Sequence, residues 1–302
     1  MRTLLPLMCL AWGLQAQTRP SWAFLTPDKQ QPTVTEEAGP IRIPDSTKTY
    51  LPKEIENLAN PPDWFPDEHG AVPKVVAGAP GSTALACGSC HLMRGQGHPE
   101  SADLAGMPVE YIVRQMADFA DGKRIDPARM NAIAKITSAE DARQGAEWFA
   151  ALQPTVWVKV MESATVPMSY VSTKGRMRLP LPGAGTEPLG NRIIELPQDP
   201  ARAQSRDPHS GFLAYVPKGS IEKGKKRAAT GQCAICHGDD LKGIGDVPRI
   251  AGLHPAYIAR QLYYFRGNEY SGTSSALMKK VVSKLSDDDI LTISAYAAPL
   301  AP

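Results

Sequence analysis

Cys233-Ala-Ile-Cys236-His237 repeats, 146 residues later, the pattern of Cys87-Gly-Ser-Cys90-His91: Cys-x-x-Cys-His occurs twice in one chain. The pattern answers the needs of covalent c-type haem, in which two thiols add across the two vinyl groups and the adjacent imidazole takes the proximal iron position. Two intervening residues bring both sulfurs to one edge of a porphyrin, and a His directly after the second Cys swings its ring over the iron. A structural zinc site would require two further ligands per pair in matched spacing. A thioredoxin-like redox pair would sit in a βαβ pattern. The sequence around neither motif supplies these surroundings, so two covalent haems c are expected.

The rest of the composition agrees. A length of 302 residues is a soft prior for about two domains, and 42% hydrophobic residues suffice for globular cores. Of five cysteines, Cys9 lies in the N-terminal leader and the other four belong to the two motifs, leaving no thiol for a disulfide. A formal net charge of +2 is too near balance for a nucleic-acid partner. Met1-Arg2 followed by the short apolar run Thr3 to Leu14 reads as a secretory signal, residues 1–23, with cleavage after Ala16 or Ala23. A retained anchor is the alternative. Covalent haem is attached outside the cytoplasm, so export to the periplasm and the haem motifs support one another. No later stretch is long and apolar enough for a transmembrane helix.

The two motifs lie in an internal repeat. At an offset of 146, Ala105-Gly106 matches Ala251-Gly252, Tyr111 matches Tyr257, Arg114-Gln115 matches Arg260-Gln261, and Phe119 matches Phe265. The second copy then gains two residues, and at an offset of 148 Ser138-Ala-Glu-Asp141 matches Ser286-Asp-Asp-Asp289, with Trp148 opposite Tyr296. The spacing is helical throughout: Pro108 and Pro255 stand at first-turn positions, and Tyr111, Ile112, Gln115, Met116 and Phe119 recur on one helix face. Ser138 and Ser286, each followed by acidic residues, are N-cap signals for a last helix.

The repeat also selects candidate sixth ligands to iron. Met278 is the only methionine after His237. Of four methionines in the first copy, Met93 is too near its proximal His, and Met107 and Met116 correspond to Leu253 and Leu262. Met130 precedes its capping serine by the same distance as Met278 does. Met130 and Met278 are therefore the expected thioether ligands, against the alternative of gap-filling core residues.

Both copies resemble class I c-type cytochromes, and the pair resembles the bacterial periplasmic dihaem cytochromes made by duplicating one. The resemblance runs from about Ser82 to Leu152 and from about Gly224 to Pro302. It implies a mainly α fold of two tandem cytochrome c-like haem domains, 81–152 and 224–302; the Pro-rich arm, 24–80, and the irregular, β-containing insertion, 153–223, depart from the family pattern. It implies haem binding through Cys87, Cys90, His91 and Met130, then Cys233, Cys236, His237 and Met278, and single-electron shuttling between redox partner proteins: a donor dehydrogenase, and an acceptor oxidase or reductase. No catalytic residue is expected. The alternative is a dihaem peroxidase or the cytochrome subunit of a dehydrogenase complex; a peroxidase needs one iron with an open position, which matched Met positions oppose.

The arm carries Trp64-Phe65 as its expected anchor. In the insertion, Thr155 to Val160 alternates as a strand, and Gly183 to Gly190 is a turn-rich cover rather than a phosphate loop, since Pro188 stands where a helix would open. Lys174, Arg176 and Arg178 lead a basic excess that would steer an acidic partner or be a plain solvated cover. Arg114 and Arg260 are candidates to pair with haem propionates, or are surface charges. His69, His98, His209 and His254 stand alone in the sequence.

Overall fold

The computed structural model describes residues 19–33, 39–126, 128–272 and 274–302. The leader through residue 18, with Cys9 and Ala16, lies outside them. In chain order the elements are α1 (Pro52–Ile55), a 3-10 turn (Pro66–Glu68), α2 (Lys74–Ala77), α3 (Gly88–His91), α4 (Val109–Ala120), α5 (Met130–Ile136) and α6 (Ala139–Ala151). Strands β1 (Val158–Glu162), β2 (Thr165–Pro167), β3 (Ser169–Val171), β4 (Arg178–Pro180), β5 (Thr186–Pro188) and β6 (Ile194–Pro197) follow. Then come α7 (Pro200–Gln204), β7 (Phe212–Val216), α8 (Ser220–Thr230), α9 (Ala234–His237), α10 (Pro255–Arg266), α11 (Ser275–Val282) and α12 (Asp287–Ala297).

The repeat in sequence is a repeat in structure. α3 and α9 share their bounds at the offset of 146, and so do α4 and α10. α6 and α12 both start after a serine whose hydroxyl accepts the amide of the third helical residue, Asp141 in one and Asp289 in the other, at 3.0 Å in each. In the second, the Asp289 carboxylate also accepts the Ser286 amide at 2.9 Å, completing a capping box. Pro108 is the N-cap of α4, and Pro255 is the first residue of α10. Both positions tolerate the missing N–H.

α8 crosses α12 at Gly224, where an added Cβ would stand 1.8 Å from the Thr292 carbonyl oxygen. The helix backbones meet there with no room for a side chain. In the first half the corresponding partner of α6 is the one-turn α2, packed over Gly145, where a Cβ would find Val75 at an ordinary 3.6 Å.

The segment between the halves folds into small β elements. β7 lies between β1, to which it is parallel, and β6, to which it is antiparallel; two hairpin-like pairs, β2 with β5 and β3 with β4, complete it. The alternating run near Thr155 to Val160 thus becomes β1, shifted two or three residues along. Ile193, Ile194, Leu196 and Val216 from this segment join the same apolar core as Ile258, Leu262 and Ile290 from the second half.

Trp64 and Phe65 of the arm are buried with Ile43 and Ile55. The Trp64 indole N–H donates to the Ser205 carbonyl at 2.7 Å, and Phe65 stacks on His209 with ring centroids 4.0 Å apart. Trp22 and Ala23, at the end of the sequence assigned to the leader, are buried in the main core, and Trp22 meets Tyr263 edge-on. Among the described residues no helix is long and apolar enough to cross a membrane.

Candidate functional site

Each Cys-x-x-Cys-His forms a single helical turn in which the His amide donates to the carbonyl of the first Cys, at 3.0 Å in both copies. The chain then doubles back. Gly97 donates its amide to the His91 carbonyl at 3.0 Å, and Gly243 donates to that of His237 at 2.7 Å. Both glycines have positive φ, and a Cβ would come within 2.5 Å of the Ser101 carbonyl oxygen in the first and 2.4 Å of the Val247 carbonyl oxygen in the second. Only glycine closes so tight a loop.

The closure fixes the imidazoles. It brings the Ala102 carbonyl to 2.7 Å from His91 Nδ1 and the Pro248 carbonyl to 2.8 Å from His237 Nδ1. A carbonyl can only accept, so Nδ1 carries the proton and Nε2 keeps its lone pair, the arrangement a metal-ligating imidazole needs. Burial lowers both histidines below their ordinary range and so favours the neutral ring, although the carbonyl acts in the opposite direction.

The first thiol of each motif differs from a redox-active one. Burial pushes the Cys87 thiol up to about 11 and raises that of Cys233, whereas reactive Cys-x-x-Cys thiols are depressed. All four motif cysteines are free of disulfides. Among the described residues no group of three or more His, Cys, Asp or Glu side chains is arranged to hold a metal ion.

Both motifs open onto one cavity of about 1210 Å³, larger than the roughly 300–1,000 Å³ of an ordinary small-molecule pocket. Its lining includes Cys87, Cys90 and His91, Cys233, Cys236 and His237, and both Met130 and Met278. Met130 is the first residue of α5 and Met278 the fourth of α11, and each is half-buried. Met107 and Met116 also reach the cavity. Met107 and its counterpart Leu253 are buried in the apolar core. The donor set of paired thiols beside an imidazole with a free Nε2, facing a large and mainly apolar space, fits a covalent haem at each motif.

The halves meet along a pseudo-twofold axis that the sequence did not reveal. Loop residues 123–125 pair antiparallel with 269–271 through Ile125 N–H to Glu269 O at 2.9 Å and Ser271 N–H to Lys123 O at 2.6 Å. The central bridge joins Arg124 to Tyr270, which are repeat counterparts. Asp103 and Arg249, also counterparts, form a buried ion pair at 2.7 Å. Arg114 donates to the Asp246 carbonyl at 3.3 Å, and Arg260 pairs with the Glu100 carboxylate at 2.9 Å; residues 246 and 100 again differ by the repeat offset. Arg114 and Arg260 are therefore ties between the halves, and Arg260 already has its carboxylate. Sequence reasoning missed Asp103, Arg124 and Arg249. The available signal was a change of residue type between counterparts, Asp to Arg and Arg to Tyr, within otherwise matched copies.

The histidines left over from the motifs are engaged. His254 Nδ1 meets the buried Glu195 carboxylate at 2.7 Å, while the other oxygen of Glu195 accepts the Ala256 amide at 2.7 Å, in the first turn of α10. His209 meets Glu68 at 2.9 Å, and His69 meets Asp63 at 3.2 Å. His98 bonds Ser101 at 3.0 Å, and burial drives it down to about 3. Three basic residues of the insertion are also bonded, Arg176 to the Leu25 carbonyl of the arm at 3.1 Å, and Arg178 to Ser169 Oγ at 3.3 Å and Arg192 to Glu187 at 3.1 Å within the insertion.

Comparison with known proteins bears on this site. The Cytochrome c family model matches residues 221–299. A cytochrome c-554(548) of Halomonas halodenitrificans is 34% identical over 67 residues, covering 22% of this chain and 81% of that protein. The chain belongs to the c-type cytochromes. Over a longer span this cytochrome is 27% identical, across 237 residues, to a thiosulfate dehydrogenase electron acceptor of Thiomonas intermedia, covering 77% of this chain and 87% of the relative. It is 25% identical over 224 residues to cytochrome c4 of Pseudomonas aeruginosa, covering 73% and 86%. Haem c, iron binding and electron transport follow from membership of the family.

Proposed function

We infer that this cytochrome carries two haems c, one on Cys87, Cys90 and His91 and one on Cys233, Cys236 and His237, with Met130 and Met278 as sixth ligands. It passes single electrons between protein partners in the periplasm and is not itself an enzyme. The observation that carries the reading is that all eight side chains line one cavity. A bound haem iron supplies reversible one-electron exchange. The chain's own part is to orient each imidazole through the Ala102 and Pro248 carbonyls, to keep water from the site with the core around Phe149 and Ile293, and to hold the two sites at a fixed separation through the Asp103–Arg249 and Glu100–Arg260 pairs. The two halves, about 81–152 and 224–302 with α8 starting at Ser220, are read as tandem haem domains. A dehydrogenase is the donor class this reading favours, since the Thiomonas relative is named as the electron acceptor of one; the acceptor is an oxidase or reductase. The haem motifs favour export, and the burial of Trp22 and Ala23 favours cleavage after Ala16 over cleavage after Ala23, which would remove core residues.

Intact mass of protein matured in a host that attaches c-type haem tests the reading. Two haem additions on a chain starting at Gln17 are expected, and one addition in the Cys233→Ala/Cys236→Ala variant. The weak thioether charge-transfer band of the oxidised protein should fall by about half in Met130→Ala and by about half in Met278→Ala, as for independent sites. A single addition to the parent protein, or bands indifferent to both methionines, overturns it.

A further inference from the structure

Arg124 is buried at 7% exposure on the axis between the two halves. Its guanidinium is sandwiched by the Phe119 ring at 4.4 Å and the Tyr270 ring at 4.5 Å. Nη1 donates to Gln115 Oε1 at 2.7 Å, and Nη2 to Gln261 Oε1 at 2.9 Å and to the Tyr257 hydroxyl at 3.4 Å. Gln115 and Gln261 are repeat counterparts, so one arginine is held symmetrically by both halves. Every one of these acceptors is neutral, and among the described residues Arg124 forms no ion pair.

This is unlike the other buried arginines of the junction. Arg249 has Asp103, and Arg260 has Glu100. A cation removed from water without a counter-charge is costly. Three bonds leave two of the five guanidinium N–H donors, and Arg124 lines the same cavity as both Cys-x-x-Cys-His motifs. The missing anion therefore belongs to whatever fills that cavity. A porphyrin with two carboxylate side chains supplies it, and the planar fork is suited to carboxylates.

We propose that Arg124 is a shared counter-charge for the carboxylates of both haems, held on the axis by Gln115 and Gln261, so that one residue sets the electrostatic level of both irons. The proposal rests on the two-haem reading. Removing a positive charge near both sites favours the more positive, oxidised iron in each.

The test is a spectropotentiometric titration of Arg124→Gln beside the parent protein, both shown by intact mass to carry two haems. Both midpoint potentials are expected to fall. Unchanged potentials, or a fall confined to one haem, overturn the shared role. A parent protein with a single haem overturns the two-haem reading instead, and this proposal with it. If the Gln variant fails to mature, Arg124→Lys decides the matter: it keeps the charge but loses the fork. The resonance Raman propionate-bending bands of both haems are then expected to move, and unmoved bands overturn the proposal.

Discussion

Helices α4 and α10 have the same length and corresponding bounds, yet two of twelve residues are buried in α4 and eight of twelve in α10. The difference comes from what lies over them. α10 receives Trp22 and Phe24 on its Tyr263 and Tyr264 side and the Glu195 carboxylate at its first turn. α4 keeps an ordinary amphipathic pattern, with Ile112 and Phe119 inward. The terminal helices show the same asymmetry: α8 is eleven residues and locks into α12, whereas α2 is four residues and rests on α6. The second copy has its own full first helix, α8, while the first copy borrows the one-turn α2 from the arm. This agrees with the extent of the Cytochrome c family model, which matches the second copy, residues 221–299.

The largest expected effect falls on the cover of α10. Glu195→Ala leaves the Ala256 amide and the His254 ring without their acceptor in a buried site, at about 1–3 kcal/mol for each stranded group. Thermal unfolding of the haem-loaded variant should show the loss, and an unchanged melting temperature would mean that the insertion does not brace α10.

Next is the pair of helix crossings. Gly224→Ala forces α8 off α12 and should cost about 1–3 kcal/mol. Gly145→Ala meets only ordinary contacts and should gain up to about 1 kcal/mol from helix propensity. Denaturant titration of the two variants sharpens the contrast if the signs differ, and breaks it if they agree.

The smallest effect concerns the α12 cap. Burial works to raise the Asp289 carboxyl, but the Ser286 amide and hydroxyl and the Arg227 guanidinium outweigh it and hold it below its ordinary 3.8. A depressed folded value stabilises the protein above the unfolded one, and that stability disappears as pH falls through the folded value. Asp289→Asn should therefore lower stability by about 1 kcal/mol or less at neutral pH, the scale of one cap. The difference from the parent protein should shrink as pH drops below 3.8. A difference that persists in acid would assign the effect to packing rather than charge.

Several features were legible in the residues because they depend on local geometry. Ser138 and Ser286 cap the helices their acidic successors announced, at matching positions in the two copies. The repeat offset predicted that α4 would recur as α10, since equal spacing of apolar residues yields equal helices. Only the tertiary structure decided how the copies face one another. Pairing of Arg114, Arg124 and Arg260 depends on residues about 130 to 160 positions away, and nothing in the local pattern of a charged helix face tells a solvated arginine from a buried tie. The same holds for His254, which stood alone in the sequence and met Glu195 once the insertion folded over α10. Short-range rules determined the elements and the motifs, while desolvation, which exists only after the halves close, determined which charges needed partners.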